Sequence, residues 1–187
     1  MRILLIDNYD SFTYNLVHYL EGENCDVDIV RTNELGKCNY LNYNRILISP
    51  GPKLPKDYPE LYFFLDSALG KIPILGVCLG LQLIGELLGG KLYNLEKVRH
   101  GVSVELTQIE NSVLFKGMPK QFNVGLYHSW AIQKTNASNF DVTAIDEKGV
   151  VMALEKSALQ LYGVQFHPES ILTNQGKKIL ANFIELT

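Results

Sequence analysis

The sequence predicts an α/β fold, an open mostly parallel sheet with helices on both faces and an added antiparallel β layer, and three observations carry that expectation. Short, continuously apolar runs alternate with longer helical patterns through residues 1–90, the texture of strands buried on both faces of a parallel sheet. From Lys91 onward the pattern changes to β-branched and aromatic runs separated by Gly, Asn and Asp, which reads as strands and hairpins. The chain has 187 residues, 47% of them hydrophobic and 20% charged, enough for one domain over 1–187. A chain of that length buries about 70% of its unfolded surface without a disulfide or metal.

Each element follows from its residues. Arg2 to Ile6 is apolar without alternation and forms the first strand. Asp10-Ser11 offers N-cap residues for a helix in which Phe12, Leu16, Val17 and Leu20 share a face, ending near Glu21 before Gly22. Val27 to Val30 and Arg45 to Ser49 are the next strands. The segment Pro50-Gly51-Pro52-Lys53-Leu54-Pro55 suits neither helix nor strand and forms a stiff loop. Pro59 opens a helix carrying Leu61, Phe64, Leu65, Ala68 and Leu69, closed by Gly70 before the strand Ile72 to Val77. Helix resumes at about Gly80, with Leu81, Ile84, Leu87 and Leu88 on one stripe and Leu83 widening it, until Gly89-Gly90. Strands are expected at Val102 to Ile109, Phe122 to Tyr127, Phe140 to Ile145, Val150 to Leu154 and Leu161 to Phe166. Ile179, Leu180, Phe183 and Ile184 lie at helical spacing in a last segment, Gln175 to Leu186, that packs back on the sheet.

Charge and cysteine usage exclude several functions. Seventeen basic against twenty acidic residues give a net charge of -3, without basic runs, so a phosphate backbone is a poor partner. The run Ile3-Leu4-Leu5-Ile6 stops at Asp7 and is too short for a signal-peptide core, and nothing further along has the length of a membrane span. Cys25, Cys38 and Cys78 are odd in number and lack the short paired spacings of zinc sites or disulfide frameworks. A reducing cytoplasm and an unprocessed chain are the expectation.

The segment Ile74-Leu75-Gly76-Val77-Cys78-Leu79-Gly80-Leu81-Gln82 runs an apolar strand through Gly-x-Cys-x-Gly directly into a buried helix. This is the thiol counterpart of a nucleophile elbow. Its glycines leave room for neighbouring segments, and the helix N-terminus offers free N–H groups that lower a thiol pKa and bind an oxyanion. Taken alone, a lone cysteine is more often a small core residue; the flanking glycines and the switch from strand to helix favour chemistry.

Acyl transfer to a thiol also needs a base. Among four histidines, His18 lies in a helical pattern and His100 in a Lys/Arg-rich turn, which favours structural or exposed roles, and His128, before Ser129-Trp130 at a strand end, is open to either. His167 follows the strand Tyr162-Gly163-Val164-Gln165-Phe166 and precedes Pro168 and Glu169. Pro168 restricts the backbone there, and Glu169 can reach the ring nitrogen that does not face a thiol, making a Cys-His-Glu relay. The Pro-Gly-Pro loop emerges at the same sheet edge, where open α/β folds place ligands. It is either a rigid connector or a source of backbone donors, the second donor being the N–H of Leu79.

Gly76-Val77-Cys78-Leu79-Gly80-Leu81-Gln82, Gln165-Phe166-His167-Pro168-Glu169-Ser170 and Ile48-Ser49-Pro50-Gly51-Pro52 together resemble the nucleophile, His-Pro-Glu and oxyanion-loop motifs of class I, triad-type glutamine amidotransferases, whose fold is flavodoxin-like. Asn8-Tyr9-Asp10-Ser11-Phe12-Thr13-Tyr14-Asn15-Leu16 and Tyr127-His128-Ser129 look like the branch serving chorismate, in anthranilate and aminodeoxychorismate synthesis. The resemblance implies that this chain hydrolyses L-glutamine and that a separate chorismate-binding subunit uses the ammonia; the length matches a free-standing subunit. It implies Cys78 as nucleophile, His167 as general base and acid, and Glu169 as its orienting partner. Gly51 and Leu79 supply oxyanion N–H groups, while Gln82 and the backbone at Ser129 and Trp130 hold the α-amino and α-carboxylate ends of glutamine. No metal or organic cofactor is implied. The family usually continues its oxyanion loop Gly-Pro-Gly; Lys53 replaces the second glycine here, disfavouring positive φ and placing a cation beside Pro52 and the pocket, where it either pairs with the substrate carboxylate or points to solvent. Leu81 stands where His is frequent and Trp130 where an aliphatic residue is common.

Three other readings remain open to the sequence. One is another thiol hydrolase of this fold, such as a γ-glutamyl hydrolase, or the amidotransferase of another synthase. A second is a non-catalytic regulatory homologue, for which Lys53 is the best argument. The third, a flavodoxin-like mononucleotide binder, lacks a phosphate loop at the first strand, where Asp7 repels a phosphate.

Overall fold

The computed structural model describes residues 1–186. Its strands are β1 (Arg2–Asp7), β2 (Asp26–Arg31), β3 (Arg45–Ile48), β4 (Ile74–Val77), β5 (Lys91–Gln108), β6 (Gln121–Gln133), β7 (Asp141–Asp146), β8 (Val151–Lys156) and β9 (Leu161–Val164), and its α-helices are α1 (Thr13–Gly22), α2 (Pro59–Ala68), α3 (Leu79–Leu87) and α4 (Gly176–Ile184). The strands form one nine-stranded sheet in the order β2-β1-β3-β4-β9-β8-β7-β5-β6. The first five run parallel, and β8, β7, β5 and β6 continue the sheet antiparallel. The antiparallel addition is thus hydrogen-bonded onto β9 through β8, as an extension of the sheet and not a separate layer.

Successive side chains of a strand point to opposite faces, and β1 supplies both cores. Ile3 and Leu5 pack with α1 and α4 through Leu16, Val17, Leu20, Ile179, Leu180 and Phe183. Leu4 and Ile6 pack with α2 and α3 through Leu61, Phe64, Leu65, Leu81 and Ile84. Each such Leu or Ile, wholly buried, stabilises the fold by about 1.5–3 kcal/mol relative to exposure. Because both faces are covered, β1, β3, β4 and β9 cannot alternate apolar with polar residues, which explains their continuous apolar runs.

Most element boundaries shift by a residue or two from those expected. Asp10 lies upstream of the true N-cap, Phe12, yet still secures the entry to α1: its carboxylate accepts from the Phe12 N–H at 2.8 Å and its carbonyl from the Thr13 N–H at 3.3 Å. A single 3-10 turn, Pro55–Asp57, follows the stiff loop. The larger differences are β5, which extends from Lys91 instead of beginning near Val102, and β6, which runs on to Gln133 instead of ending near Tyr127, so that His128 lies inside a strand and not at its end. The register of β5 with β6 passes from Asn94–Trp130 to Arg99–His128, so residues 95–98 bulge out opposite Ser129. His100, expected in a turn, therefore lies within β5 beside a second irregularity and is exposed.

The parallel register brings four chain segments to one edge. Ile6 pairs with Ile48, Ile48 with Gly76, and Val77 with Val164. Asn8, Ser49, Cys78 and the segment after Val164 therefore emerge side by side at the C-terminal ends of adjacent strands.

Candidate active site

Cys78 is the single residue between β4 and α3. Its backbone sits at φ 53° and ψ −99°, a region that costs a non-glycine residue about 1–3 kcal/mol and persists only where surroundings impose it. Two glycines allow it. A Cβ on Gly76 would lie 2.3 Å from the Gly80 carbonyl carbon, and one on Gly80 would lie 2.8 Å from the Ile48 carbonyl oxygen. The turn is held by the Cys78 N–H donating to the Val164 carbonyl at 2.8 Å and the Gln82 N–H donating to the Cys78 carbonyl at 3.1 Å. The first N–H groups of a helix have no partner within it, so those of α3 are available beside the sulfur.

His167 and Glu169 leave β9 just beyond its end. The His167 N–H donates to the Gly125 carbonyl of β6 at 3.0 Å, and the Thr173 hydroxyl donates to the His167 carbonyl at 2.6 Å. The ring Nδ1 lies 2.6 Å from Glu169 Oε1. Cys78, His167 and Glu169 are 7%, 2% and 3% exposed. Burial presses the His167 pKa down, but the pull of the nearby Cys78 sulfur and of the Glu169 carboxylate outweighs it, pushing the pKa up to about 10. Nδ1 is thus paired with the carboxylate, whereas Nε2 is buried without a hydrogen-bond partner, so of the relay expected from sequence the structure shows the His167–Glu169 half. Phe12 and Tyr127 clasp it edge-on, with centroids 5.9 and 4.9 Å away, and the Tyr127 hydroxyl bonds Ser170 Oγ at 3.1 Å.

The Pro-Gly-Pro loop meets the elbow as expected. A Cβ on Gly51 would lie 2.7 Å from Asn8 Cβ and 2.9 Å from Leu79 Cδ2, so only glycine brings this backbone against Leu79. A brace absent from the sequence reading fixes the loop: the Asn8 N–H donates to Ser49 Oγ at 2.9 Å, Asn8 Nδ2 donates to the Ser49 carbonyl at 2.7 Å, and the Thr32 hydroxyl donates to Asn8 Oδ1 at 2.6 Å. Pro52 and Lys53 are exposed. The expectation that Lys53 keeps out of positive φ is corrected, because Lys53 adopts φ 107°. The loop retains a glycine-like backbone despite the side chain.

Gln82, 4% exposed, uses its amide nitrogen twice, donating to the Trp130 carbonyl at 2.9 Å and to Gln165 Oε1 at 3.2 Å. Only its carbonyl oxygen is left for a ligand, and an oxygen acceptor suits an ammonium. The Trp130 carbonyl also accepts from His128 Nδ1 at 2.8 Å, so it is not available to a substrate. Ser129, half-buried and opposite the bulge, has no ladder partner in the β5–β6 register. His128, left open by the sequence, is buried; desolvation drives its pKa down to about 4 against the opposing pull of the Trp130 carbonyl. His18 and His100 are exposed, and His100 packs edge-on against Tyr127 at 5.3 Å. The residues that sequence reasoning missed are Asn8, Ser49, Thr32, Phe12 and Tyr127 as braces and Gln165 as a neighbour of the sulfur. A polar Gln165 inside an apolar strand run was a signal for the last.

A strained cysteine at a strand–helix elbow, beside a His–Glu pair at the carboxyl edge of a doubly covered parallel sheet, defines a thiol-dependent acyl-transfer fold. Comparison with known proteins refines this: the model of the family "Glutamine amidotransferase class-I" matches residues 4–186, and the chain belongs to that family. The anthranilate synthase component 2 of Lactococcus lactis is 40% identical over 97% of this chain and 93% of its own. The aminodeoxychorismate/anthranilate synthase component 2 of Bacillus subtilis is 41% identical over 98% and 95%. Among solved structures, a glutamine amidotransferase from Thermotoga maritima superposes with a TM-score of 0.78, covering 99% of this chain and 96% of that one at 17% identity, which speaks for the fold.

Proposed function

We propose that this chain, as a single domain over 1–187, is the glutaminase subunit of a chorismate-using synthase, hydrolysing glutamine through a thioester on Cys78 and delivering ammonia to a larger partner subunit. The observation that carries the reading is Cys78 held at φ 53° on the elbow beside a His167–Glu169 pair at 2.6 Å. His167, whose affinity for a proton is raised by its neighbours, takes the proton of the Cys78 thiol. The Cys78 sulfur attacks the carboxamide carbon, and the developing oxyanion is met by the backbone N–H groups of Gly51 and Leu79. His167 gives its proton to the leaving nitrogen, the C–N bond breaks, and ammonia departs from a γ-glutamyl thioester. Water then attacks while His167 takes its proton, the C–S bond breaks, and glutamate and thiolate are released. Glu169 keeps the imidazole oriented and stabilises its charged form. Gln82 Oε1 and the unpaired backbone at Ser129 receive the α-substituents of glutamine.

Support for the chorismate branch comes from the names of the two relatives and the length over which they match. Two segments that carry site residues also expose apolar side chains that a partner could cover: Ile171, two residues beyond Glu169, is 93% exposed and Tyr9, beside Asn8, 47%. Cys25, Cys38 and Cys78 are free thiols, which suits a cytoplasmic protein. Among the described residues no helix is long and apolar enough to cross a membrane.

The test mixes this chain separately with the large subunit of an anthranilate synthase and of an aminodeoxychorismate synthase, supplying chorismate and glutamine, with Cys78→Ser as control. Product with one partner assigns the pathway, and product with both marks a shared subunit. If neither makes product from glutamine while both use free ammonia, the reading fails.

A further inference from the structure

A line of hydrogen bonds runs from the interior of β6 to the Cys78 sulfur, and the chemistry at its start fixes the direction of every bond. A backbone carbonyl can only accept. That of Trp130 receives His128 Nδ1 at 2.8 Å and Gln82 at 2.9 Å, which fills both its lone pairs. The Gln82 atom facing it must therefore be the amide nitrogen. The same nitrogen lies 3.2 Å from the Gln165 side chain, so the atom there must be the acceptor Oε1. The Gln165 amide nitrogen is thereby turned the other way, toward Cys78 Sγ at 3.5 Å. Gln165 is wholly buried and cannot exchange its partners for solvent.

His128 closes the line at its other end. Its proton must sit on Nδ1 to meet the carbonyl, which leaves Nε2 bare, and that atom is buried without a partner. A second proton there would have no acceptor, so the neutral tautomer is the one the site holds. None of these bonds involves His167, whose Nδ1 is held by Glu169 and whose Nε2 has no hydrogen-bond partner.

We infer that Gln165 is a catalytic residue whose amide N–H steadies the Cys78 thiolate, and that Gln82 and His128 are positioning residues that lock that amide with its nitrogen toward the sulfur. The inference rests on the reading of Cys78 as the nucleophile. A donor aimed at sulfur bonds strongly to an anion and weakly to a neutral thioester, so it favours the thiolate before attack and again when the sulfur leaves the acyl carbon. An amide turned the opposite way would place an oxygen lone pair against the anion.

The test is the pH dependence of Cys78 alkylation by iodoacetamide in the full chain, with the modified peptide identified by mass so that Cys25 and Cys38 are counted apart. Gln165→Leu removes the donor, and Gln165→Glu keeps the shape but presents an acceptor. Both are expected to move the midpoint of the alkylation profile to higher pH, by about one unit or more, which is an about tenfold slower reaction below the midpoint. His128→Phe leaves the Trp130 carbonyl held by Gln82 alone, which loosens the placement of the line and gives a smaller change of the same sign, whereas His128→Asn retains a donor toward Trp130 and shifts it least. Should Gln165→Leu fold poorly, the isosteric Gln165→Glu decides alone. A profile unchanged in a folded Gln165 variant overturns the inference. Glutamine turnover by Cys78→Ser separates the two readings: if turnover survives that change, the nucleophile assignment fails, and if it is abolished while the Gln165 profile is flat, only the role of Gln165 fails.

Discussion

The neutral state of His128 makes a quantitative demand on acid stability. In the unfolded chain a histidine takes its proton near 6.5, but in the folded protein burial holds this one back to about 4. Between those values the unfolded state binds the proton and the folded state does not, so stability is fully present above 6.5 and is lost as the pH falls through that window. At about 1.4 kcal/mol per pH unit, the gap corresponds to about 3 kcal/mol at pH 4, a large share of the about 5–15 kcal/mol typical of a folded domain. His128→Asn keeps an N–H donor near the position of Nδ1 and abolishes the titration. Urea unfolding of both proteins from pH 7 to pH 4 isolates the effect, because every other titrating group is common to the two. The wild-type chain should lose about 3 kcal/mol more than the variant across the range. Parallel loss in the two proteins would refute a buried neutral imidazole at position 128.

Three further outcomes are expected. Lys53→Gly relieves a positive φ worth about 1–2 kcal/mol against about 0.4–1 kcal/mol of added unfolded-state freedom, so the urea midpoint should rise modestly; a fall would mean that Lys53 makes a stabilising contact. Gly76→Ala places a methyl 2.3 Å from the Gly80 backbone, and because backbone cannot move aside as a side chain can, a loss of at least about 3 kcal/mol is expected in the same unfolding assay; a wild-type midpoint would show that the elbow has slack. Glu169→Gln preserves shape but removes the charge beside His167, and should lower glutamine turnover by about 10²-fold while moving the alkaline limb of the pH profile to lower pH, since Glu169 helps hold the imidazole proton; an unchanged profile would remove Glu169 from the relay.

Much of this architecture was legible in the residues because the signals are local. A buried parallel strand is continuously apolar, and a two-sided sheet needs helices with one apolar stripe, so β1, β3, β4, α2 and α3 follow from periodicity. The elbow was readable for the same reason: Gly76 and Gly80 stand two residues either side of Cys78 in sequence and meet in space. What the sequence concealed depends on distant neighbours. Asn8 reaches Ser49 across 41 residues and Gln165 reaches Cys78 across 87, and no local pattern announces such pairs. His128 stayed ambiguous because its character is set by burial and by a carbonyl two residues away that is also held by Gln82. Residues 95–98 broke the alternation of β5 because they bulge from the ladder, which hid the first part of that strand. Lys53 was misjudged because propensity opposes its φ, while the flanking loop, packed through Gly51 on Asn8 and Leu79, imposes it.

The central claim is that Cys78 carries the acyl group of glutamine, and trapping tests it most directly. The full chain, mixed with the large subunit of a chorismate-using synthase, is incubated with an electrophilic diazoketone analogue of glutamine, and the modified peptide is located by mass spectrometry. The account predicts one adduct, on Cys78, formed at a rate that glutamine suppresses, together with loss of glutamine-dependent but not ammonia-dependent product formation. An adduct on Cys25 or Cys38 instead, or full glutamine-dependent activity with Cys78 modified, would contradict it.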